Sequence, residues 1–380
     1  MRELLVTGLL SLLATADAAA WPGKLQRRAS EVATLSPTSF AKGKAFDRIA
    51  IIWLENTDYD KAVGDPNLAW LASKGVTLDN YHAVTHPSQP NYLAAIGGDY
   101  FGMNLTPATL ASVSGAQQDP DLAAYRLVKA YPNPTTGANM YVRKHNPAVS
   151  YGNVLNAPER LSVTKNLTLF QQDLEAGTLP QWMFITPNMT SDGHDTSVTV
   201  AGAWSRTFLE PLLDNPKFMN NTLVLLTFDE NETYTIQNRV LAILLGDAVP
   251  ESLVGTTDST FYDHYSEIAT VEANWELDTL GRFDVGANVF SFVAEQTGDT
   301  LRTWDGPQAL DQRYFNYSYA GVFNHRSGEV RTYVKPNVDA EYAGRKVHQA
   351  IVDTWKDSSL PSYYTTDLEI PDGLNPPEGY

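Results

Sequence analysis

The sequence predicts an α/β fold of three layers, in which helices cover both faces of a largely parallel central sheet. The apolar run at residues 49–54, and the runs within 181–188 and 221–231 that break into polar residues, are typical of strands that are buried on both faces. Stretches with helical spacing lie between these runs, so strands and helices alternate. Polar residues that end the strands of such a sheet gather outside its carboxyl edge, and we expect a functional site there.

The predicted elements follow one another from residue 46 onwards. The string "FDRIAIIWLEN" holds the first strand, "LAWLASKG" a helix that ends at glycine, and "VTLDNYHAV" the second strand. The next helix lies in "YLAAIGG", closed by two glycines. Later strands are predicted in "QWMFITPN", "NTLVLLTFDEN" and "RVLAILLGD", and a helix in "YSEIATVEANWEL". Beyond residue 300 the pattern loosens, apart from the amphipathic stretch "EYAGRKVHQAIVDTW".

The N-terminus has the pattern of a secretory signal. Arg2 precedes an apolar run at residues 4–13 and then small residues that offer a cleavage site. We therefore expect a protein that is secreted to the extracellular space or the cell wall. The predicted organisation is a signal peptide at 1–20, a leader at 21–45, a catalytic domain at 46–300 and a C-terminal extension packed on the same domain at 301–380.

Composition and charge limit the classes of partner. The chain has 380 residues, of which 43% are hydrophobic, so it can bury a large core. Its 44 acidic and 27 basic residues give a net charge of −17, which argues against nucleic acid and against stable association with anionic membranes. An anionic substrate then requires a local positive charge, from a metal ion or from protonated histidines. The chain has no cysteine, which excludes disulfides and thiolate metal sites.

Six Asn-x-Ser/Thr sequons follow the predicted signal peptide and suggest a glycoprotein. We expect glycans at Asn104, Asn166, Asn220 and Asn316. Asn188 and Asn231 lie inside motifs that we assign to the active site, where a glycan would obstruct the substrate.

Polar clusters end the predicted strands or precede the helices that follow them. In chain order they are Glu55-Asn56, His86 with Ser88 and Asn91, Asp192-Gly193-His194-Asp195, Asp229-Glu230 and Asp263-His264. The oxygen donors among them suit a hard divalent cation such as Ca²⁺, Mg²⁺, Mn²⁺ or Fe²⁺. A serine that binds such a cation loses its proton more readily and becomes a nucleophile. Histidines can hold a phosphoryl oxygen when protonated, or protonate a leaving group.

Each cluster also fits a purely structural role. Ser88, between two prolines, can cap a helix, and Glu55-Asn56 and "SDGHD" can form turns. Asp229-Glu230 indicates a functional site more strongly, because adjacent carboxylates at the end of a buried strand repel each other unless a positive charge lies nearby. Five clusters at the same predicted edge favour one shared site. The remaining histidines have no comparable context and are predicted to be structural: His82, His145, His325 and His348.

The motifs "WLENTDYD", "HPSQPNYL", "PNMTSDGHD", "TFDENE" and "HYSEIATVE" resemble the phosphoesterase family that holds fungal secreted acid phosphatases and bacterial acid phosphatases and phospholipases C. The resemblance covers residues 46–292 and implies a fold like that of alkaline phosphatases and arylsulfatases. It implies that Ser88 is the nucleophile, linked to a metal, and that Asn91, His194 and His264 contact phosphate. It assigns one divalent metal ion to Glu55, Asn56, Ser88, Asp229 and Glu230. We expect His86, Asn91, Asp192 and Asp195 to bind the substrate, and Ser88, His194 and His264 to be catalytic.

These observations predict a secreted, metal-dependent acid phosphatase that hydrolyses small phosphate monoesters through a phosphoserine. Because histidines gain their charge below a pKa of about 6.5, phosphate binding is expected to be stronger in acid. Two alternatives stay open: a phospholipase C or other phosphodiesterase on the same fold, and a secreted glycoprotein without catalysis. The sequence does not indicate an oligomeric state.

Overall fold

The computed structural model describes residues 41–103, 131–132, 137, 139–323, 333–378 and 380. The predicted signal peptide, nearly all of the leader, Asn104 and His325 lie outside the described residues. Among those that are described, none of the helices combines the length and the apolar character that crossing a bilayer requires.

Seven strands form the central sheet in the order β5-β1-β6-β7-β2-β8, with β9 also paired to β2. The strands of this sheet are β1 Arg48–Leu54, β2 Val76–His82, β5 Trp182–Ile185, β6 Thr222–Phe228, β7 Arg239–Leu245, β8 Thr257–Asp258 and β9 Tyr262–Asp263. Two small hairpins lie outside it: β3 Tyr131–Pro132 with β4 Asn139–Tyr141, and β10 Glu341–Tyr342 with β11 Arg345–Lys346.

The largely parallel sheet that the sequence predicts is confirmed, with one exception. Strands β5, β1 and β6 run parallel to one another, and β2 runs parallel to β8 and β9, whereas β7 is antiparallel to both of its neighbours. The connection from β6 to β7 covers only residues 229–238. A parallel crossover usually requires a dozen or more residues and a helix, so this short loop returns the chain antiparallel.

Helices cover both faces of the sheet. They are α1 Tyr59–Gly64, α2 Pro66–Ala72, α3 Ser88–Gly97, α4 Gly152–Leu155, α5 Pro158–Leu161, α6 Leu167–Ala176, α7 Val198–Leu213, α8 Pro216–Met219, α9 Tyr265–Trp275, α10 Phe283–Gly286, α11 Ser291–Thr297 and α12 Gln349–Trp355. Short 3₁₀ helices lie at Arg143–His145, Ala148–Ser150, Glu251–Leu253 and Leu310–Gln312. Helices α1, α2 and α7 contact one another, and α9 contacts α3, α10 and α11. Because β6 is buried along its whole length, helices must cover it on both sides.

The part of the chain after residue 300 joins the main core through aromatic side chains. Phe315, Tyr319, Tyr364 and Ile370 belong to the same buried cluster as the central strands. The amphipathic stretch at residues 341–355 divides in two, because its first half forms the β10–β11 hairpin around a turn with positive φ at Ala343 and Gly344. Only its second half is the helix α12.

Candidate active site

Parallel pairing places the carboxyl ends of β1 and β6 side by side, next to the loop that follows β5. Leu54, the last residue of β1, is in register with Phe228, the last residue of β6. The backbone continues this contact beyond the strands, because Asp229 N donates to Leu54 O at 2.9 Å and Glu55 N donates to Asp192 O at 2.9 Å. The carboxylates of Glu55, Asp192 and Asp229 therefore meet at the carboxyl edge of the sheet.

Ser88 lies between the carboxylates of Glu55 and Glu230. It is the first residue of α3, after the cis peptide bond between His86 and Pro87. Its Oγ is 3.3 Å from Glu55 Oε2 and 3.3 Å from Glu230 Oε1. The hydroxyl thus sits at the N-terminus of a ten-residue helix, where free backbone N–H groups and the helix dipole attract anions.

The carboxylates are held away from water and close to one another. Glu55, Asp192, Asp229 and Glu230 are each at most 2% exposed. Burial, with added repulsion from Asp229, raises the pKa of Glu55 and of Glu230 well above the ordinary value. Burial raises the pKa of Asp192 to about 8 and also raises the pKa of Asp229. Ionising all four groups together therefore requires a positive charge.

The donor atoms present fit a hard metal cation. Asp229 Oδ2 is buried without a hydrogen-bond partner in the described structure, while Oδ1 accepts from Asn56 N at 3.1 Å and from Glu230 N at 2.8 Å. Such an orphaned carboxylate oxygen beside Ser88 Oγ and two further carboxylates is the ligand type that divalent cations prefer. The Nδ2 of Asn56 donates to Glu55 Oε2 at 3.2 Å, so this amide lies in the same cluster.

A second possible set of metal donors shares Glu55. Ligand atoms of Glu55, His145 and His194 lie within 4.8 Å of one another. The two carboxylate oxygens of Glu55 face different neighbours: Oε2 faces Ser88, and Oε1 lies 3.2 Å from His145 Nε2. The oxygen set differs from this one because it includes the hydroxyl of Ser88 and the orphaned oxygen of Asp229.

His145 is the residue at this site that sequence reasoning missed, since it was predicted to be structural. Its Nε2 is buried and makes no hydrogen bond in the described structure despite its short distance from Glu55. The ring stacks on Tyr92, with centroids 5.2 Å apart, and lies 5.7 Å from the ring of His194. Burial, followed by the charges of Lys144 and His194, lowers the pKa of His145 well below its ordinary value. The imidazole is therefore neutral, and its Nε2 is available to a ligand such as a metal ion.

His194 and Asp195 lie at the rim of the site, near His145. His194 Nδ1 and Asp195 Oδ1 are 2.8 Å apart, and the side chains are 30% and 38% exposed. Asp192 differs from the predicted substrate-binding role: it is buried, and its Oδ1 accepts from His194 N at 2.8 Å. It orients the turn that carries His194.

His264 does not have the predicted role in contacting phosphate. The side chain is fully buried and packs against the Trp53 ring, with centroids 4.2 Å apart. Nε2 lies 2.7 Å from Asp229 O and Nδ1 lies 3.2 Å from the Tyr81 hydroxyl, so both ring nitrogens are used. Burial lowers the pKa of His264 to about 3, which keeps the ring neutral. His264 positions the backbone at Asp229 and cannot reach a substrate.

His86 and Asn91 also have internal partners in place of the predicted substrate contacts. His86 is 1% exposed, and its Nε2 lies 2.9 Å from Asn231 Oδ1. Burial lowers the pKa of His86 to about 4. Asn91 Nδ2 donates to Thr85 O at 2.8 Å and to Glu230 Oε2 at 3.3 Å, so both amide hydrogens are engaged. These two residues hold the turn before Ser88 and orient Glu230.

The sequons differ in exposure. Asn166 and Asn220 are exposed, whereas Asn231 is fully buried. Asn316 is 4% exposed and its Nδ2 donates to the carbonyl of Tyr234. A glycan on Asn316 would replace this hydrogen bond and requires space that the fold fills, so we correct that prediction.

Comparison with known proteins gives matches over most of the chain. The profile of the phosphoesterase family matches residues 66–278. A probable acid phosphatase of Kluyveromyces lactis is 45% identical over 364 residues, which covers 90% of this chain and 84% of that protein. An acid phosphatase of Aspergillus fumigatus is 46% identical, covering 77% of this chain and 71% of that protein. A solved structure of a protein in the alkaline phosphatase superfamily from Vibrio parahaemolyticus is also similar, with a TM-score of 0.37, 11% identity, and coverage of 70% of this chain and 74% of that one.

Proposed function

The chain belongs to the phosphoesterase family, and from this premise we propose that it is a metal-dependent acid phosphatase that hydrolyses phosphate monoesters through a phosphoserine at Ser88. Relatives that are 45% and 46% identical over most of the chain carry the name acid phosphatase, which supports the reaction class. One observation carries the proposal for this chain. The Oγ of Ser88 lies at a helix N-terminus, 3.3 Å from two buried carboxylates that require a positive partner.

The residues that would hold the cation are Glu55, Asn56, Ser88, Asp229 and Glu230. A divalent ion bound there supplies positive charge that stabilises the serine alkoxide and neutralises the phosphoryl oxygens. The chain shapes this place through three neighbours: Tyr92 donates to Glu55, Asn91 donates to Glu230, and His264 contacts the backbone at Asp229.

Two displacements at phosphorus complete the reaction. In the first, Ser88 Oγ forms a bond to phosphorus as the bond to the leaving oxygen breaks, and the serine proton passes to Glu55 Oε2 or Glu230 Oε1, each 3.3 Å away. The leaving oxygen takes a proton from solvent and departs as the alcohol. In the second, water attacks phosphorus as the Oγ–P bond breaks, Ser88 Oγ takes back the proton from the carboxylate, and water gives one proton to solvent and leaves its hydroxyl on inorganic phosphate. Ser88 lies at the positive end of the dipole of α3, which favours negative charge there before the reaction begins.

The histidines near the site differ in exposure, and His194 is the one that lies at the rim. His264 and His86 are buried and neutral, and His145 has a lowered pKa. His194 is exposed beside Asp195 at the rim, where it can meet a phosphate. Acid neutralises part of the surface excess of carboxylates, which reduces long-range repulsion of an anionic substrate and supports the acid preference.

We further propose that the protein is secreted as a glycoprotein, with a signal peptide at residues 1–20. The basic residue, the apolar run and the small residues of that segment support this, as do the exposed sequons at Asn166 and Asn220. Analysis of the N-terminus and of the glycans of protein recovered from the medium of producing cells tests it. A chain that stays inside the cell with an intact N-terminus would contradict the proposal.

The reaction is tested with 4-nitrophenyl phosphate and a trapped intermediate. We expect acid-quenched enzyme to carry one added phosphoryl group on the peptide that contains Ser88, and Ser88→Ala to lose both this group and the activity. Ser205→Ala is the matched control, because Ser205 is also buried but donates to Ala201 O, away from the site. An active Ser88→Ala protein would overturn the mechanism.

A further inference from the structure

Tyr234 differs in exposure from the other side chains around Ser88. It follows Glu230 by four residues in the loop between β6 and β7 and is 39% exposed. By contrast, Ser88, His86 and Glu230 are at most 3% exposed. A large, partly exposed aromatic ring thus lies on the Glu230 side of these buried groups.

Packing against His86 and Tyr317 fixes the position of the Tyr234 ring. Its centroid lies 3.9 Å from that of His86, two residues before Ser88. The ring of Tyr317, which is itself 46% exposed, packs against it edge-to-face with a centroid distance of 6.2 Å. Tyr234 therefore packs on His86, two residues before Ser88, and leaves part of its side chain open to solvent.

The loop that carries Tyr234 is preorganised. Asp58 accepts from Glu232 N at 3.0 Å, from Thr233 N at 2.8 Å and from Thr233 Oγ1 at 2.8 Å. Asn316 holds the other side by donating to the carbonyl of Tyr234. A ring fixed before binding loses little conformational entropy when a ligand covers it. Burial and the charges of Glu230 and Asp229 raise the pKa of Tyr234, so the hydroxyl stays neutral and does not repel an anion.

The two flanks of the site then have different chemistry. On the Glu55 flank lie the imidazoles of His145 and His194, and on the Glu230 flank lie Tyr234 and Tyr317. A phosphoryl group that Ser88 attacks in line expels its alcohol on the side opposite Oγ, toward the open rim. Polar groups on one flank suit phosphate, and the aromatic rings on the other suit the alcohol.

We propose that Tyr234, with Tyr317 at its edge, binds the leaving group of the substrate and favours phosphate monoesters of planar aromatic alcohols. This inference rests on the proposed phosphatase function and adds the substrate class. Aromatic pairs contribute beyond simple area burial and prefer offset or edge-to-face geometry, which a fixed, half-open ring provides. A flexible alkyl group of similar size gains less from the same surface.

Competitive inhibition by phosphonates tests this preference without turnover, because their C–P bond is not hydrolysed as an ester. The full-length, metal-loaded enzyme is assayed with 4-nitrophenyl phosphate, and inhibition constants are measured for phenylphosphonate, butylphosphonate and inorganic phosphate. We expect phenylphosphonate to bind about three- to tenfold more tightly than butylphosphonate, the range that an aromatic pair supplies. Tyr234→Leu should bring this ratio close to one, whereas Tyr234→Phe and Tyr234→Trp should retain it.

Tyr314→Leu is the matched control, because Tyr314 is 43% exposed and shares no ring contact with His86 in the described structure. It should keep the wild-type ratio. An equal affinity of the wild-type enzyme for both phosphonates, or an unchanged ratio in Tyr234→Leu, overturns the inference while phosphatase activity stands. If the wild-type enzyme releases no phosphate from 4-nitrophenyl phosphate, the proposed function fails, and this inference fails with it.

Discussion

The hydroxyl of Tyr92 donates to Oε1 of Glu55, on the side of the carboxylate opposite the oxygen that faces Ser88. Ser88 and Tyr92 are separated by one turn of α3, so a single helix contacts both oxygens of one buried carboxylate. This arrangement fixes the plane of the Glu55 carboxylate relative to the nucleophile. A rigid element thus sets the geometry that the proposed reaction needs.

Tyr92→Phe tests this arrangement. Losing a hydrogen bond to a buried charged group costs about 1.5–3 kcal/mol, so we expect kcat/KM to fall about ten- to a hundredfold and metal affinity to fall with it. Tyr265→Phe is the matched control, since the Tyr265 hydroxyl is buried without a hydrogen-bond partner in the described structure. If the two variants have the same activity, Glu55 does not depend on Tyr92.

His145→Asn tests the role of the neutral imidazole on the Glu55 flank. We expect kcat/KM to fall at least about tenfold, because the shorter Asn side chain retains polarity but does not reach the position of Nε2. The acid limb of the pH–rate profile should stay in place, since burial lowers the pKa of His145 well below its ordinary value. His348→Asn, in a histidine that accepts from Ala350 N at the start of α12, should keep wild-type kinetics. Full activity in His145→Asn would remove it from the site.

The convergence of Glu55, Ser88 and Asp229 was predictable, because the ends of parallel strands share one edge of the sheet. The position of Tyr92 at the site was also predictable, since a residue four positions after Ser88 lies on the same helix face. The position of His145 was not predictable, because its segment has no strand or helix periodicity and reaches the site only through tertiary packing on Tyr92. The burial of His264 likewise depends on Trp53 and Tyr81, which come from distant parts of the chain.

Metal removal should change both activity and stability. Burial raises the pKa of Glu55 and Glu230 well above their ordinary values in the metal-free protein, so folding without the ion favours their protonated forms. The metal-free protein should therefore lose stability as the pH rises above the ordinary carboxylate range, whereas metal binding, which needs the ionised forms, should strengthen with pH.

Thermal unfolding with and without a divalent cation, at several pH values, measures this linkage. We expect chelation to abolish activity and to lower Tm more at neutral than at acid pH. Asp229→Asn should reduce the stabilisation by metal, and Asp214→Asn, at an exposed aspartate after α7, should not. A Tm that does not respond to metal at any pH would contradict a bound cation.

Glu267 gives the fold its own dependence on pH, apart from the metal. It is fully buried, and its Oε1 accepts from Trp53 Nε1 at 2.8 Å and from Tyr81 at 2.9 Å, while Oε2 has no partner in the described structure. Burial raises the pKa of Glu267 to about 8 from an ordinary value of 4.5. The group is protonated in the folded protein over a range in which the unfolded chain has already ionised it.

The sign of the effect follows from this difference. Below about pH 4.5 the carboxyl is neutral in both states; as the pH rises toward about 8, only the unfolded chain gains from ionisation, so stability falls. Glu267→Gln keeps a neutral side chain of similar shape and removes the ionisable group. The stability of the wild type relative to the variant should therefore fall by a few kcal/mol between about pH 4.5 and pH 8. Chemical unfolding of both proteins between pH 4.5 and 8 measures it, and Glu295→Gln, at an exposed position in α11, should follow the wild type. Parallel profiles for the wild type and Glu267→Gln would show that Glu267 is ionised in the folded protein.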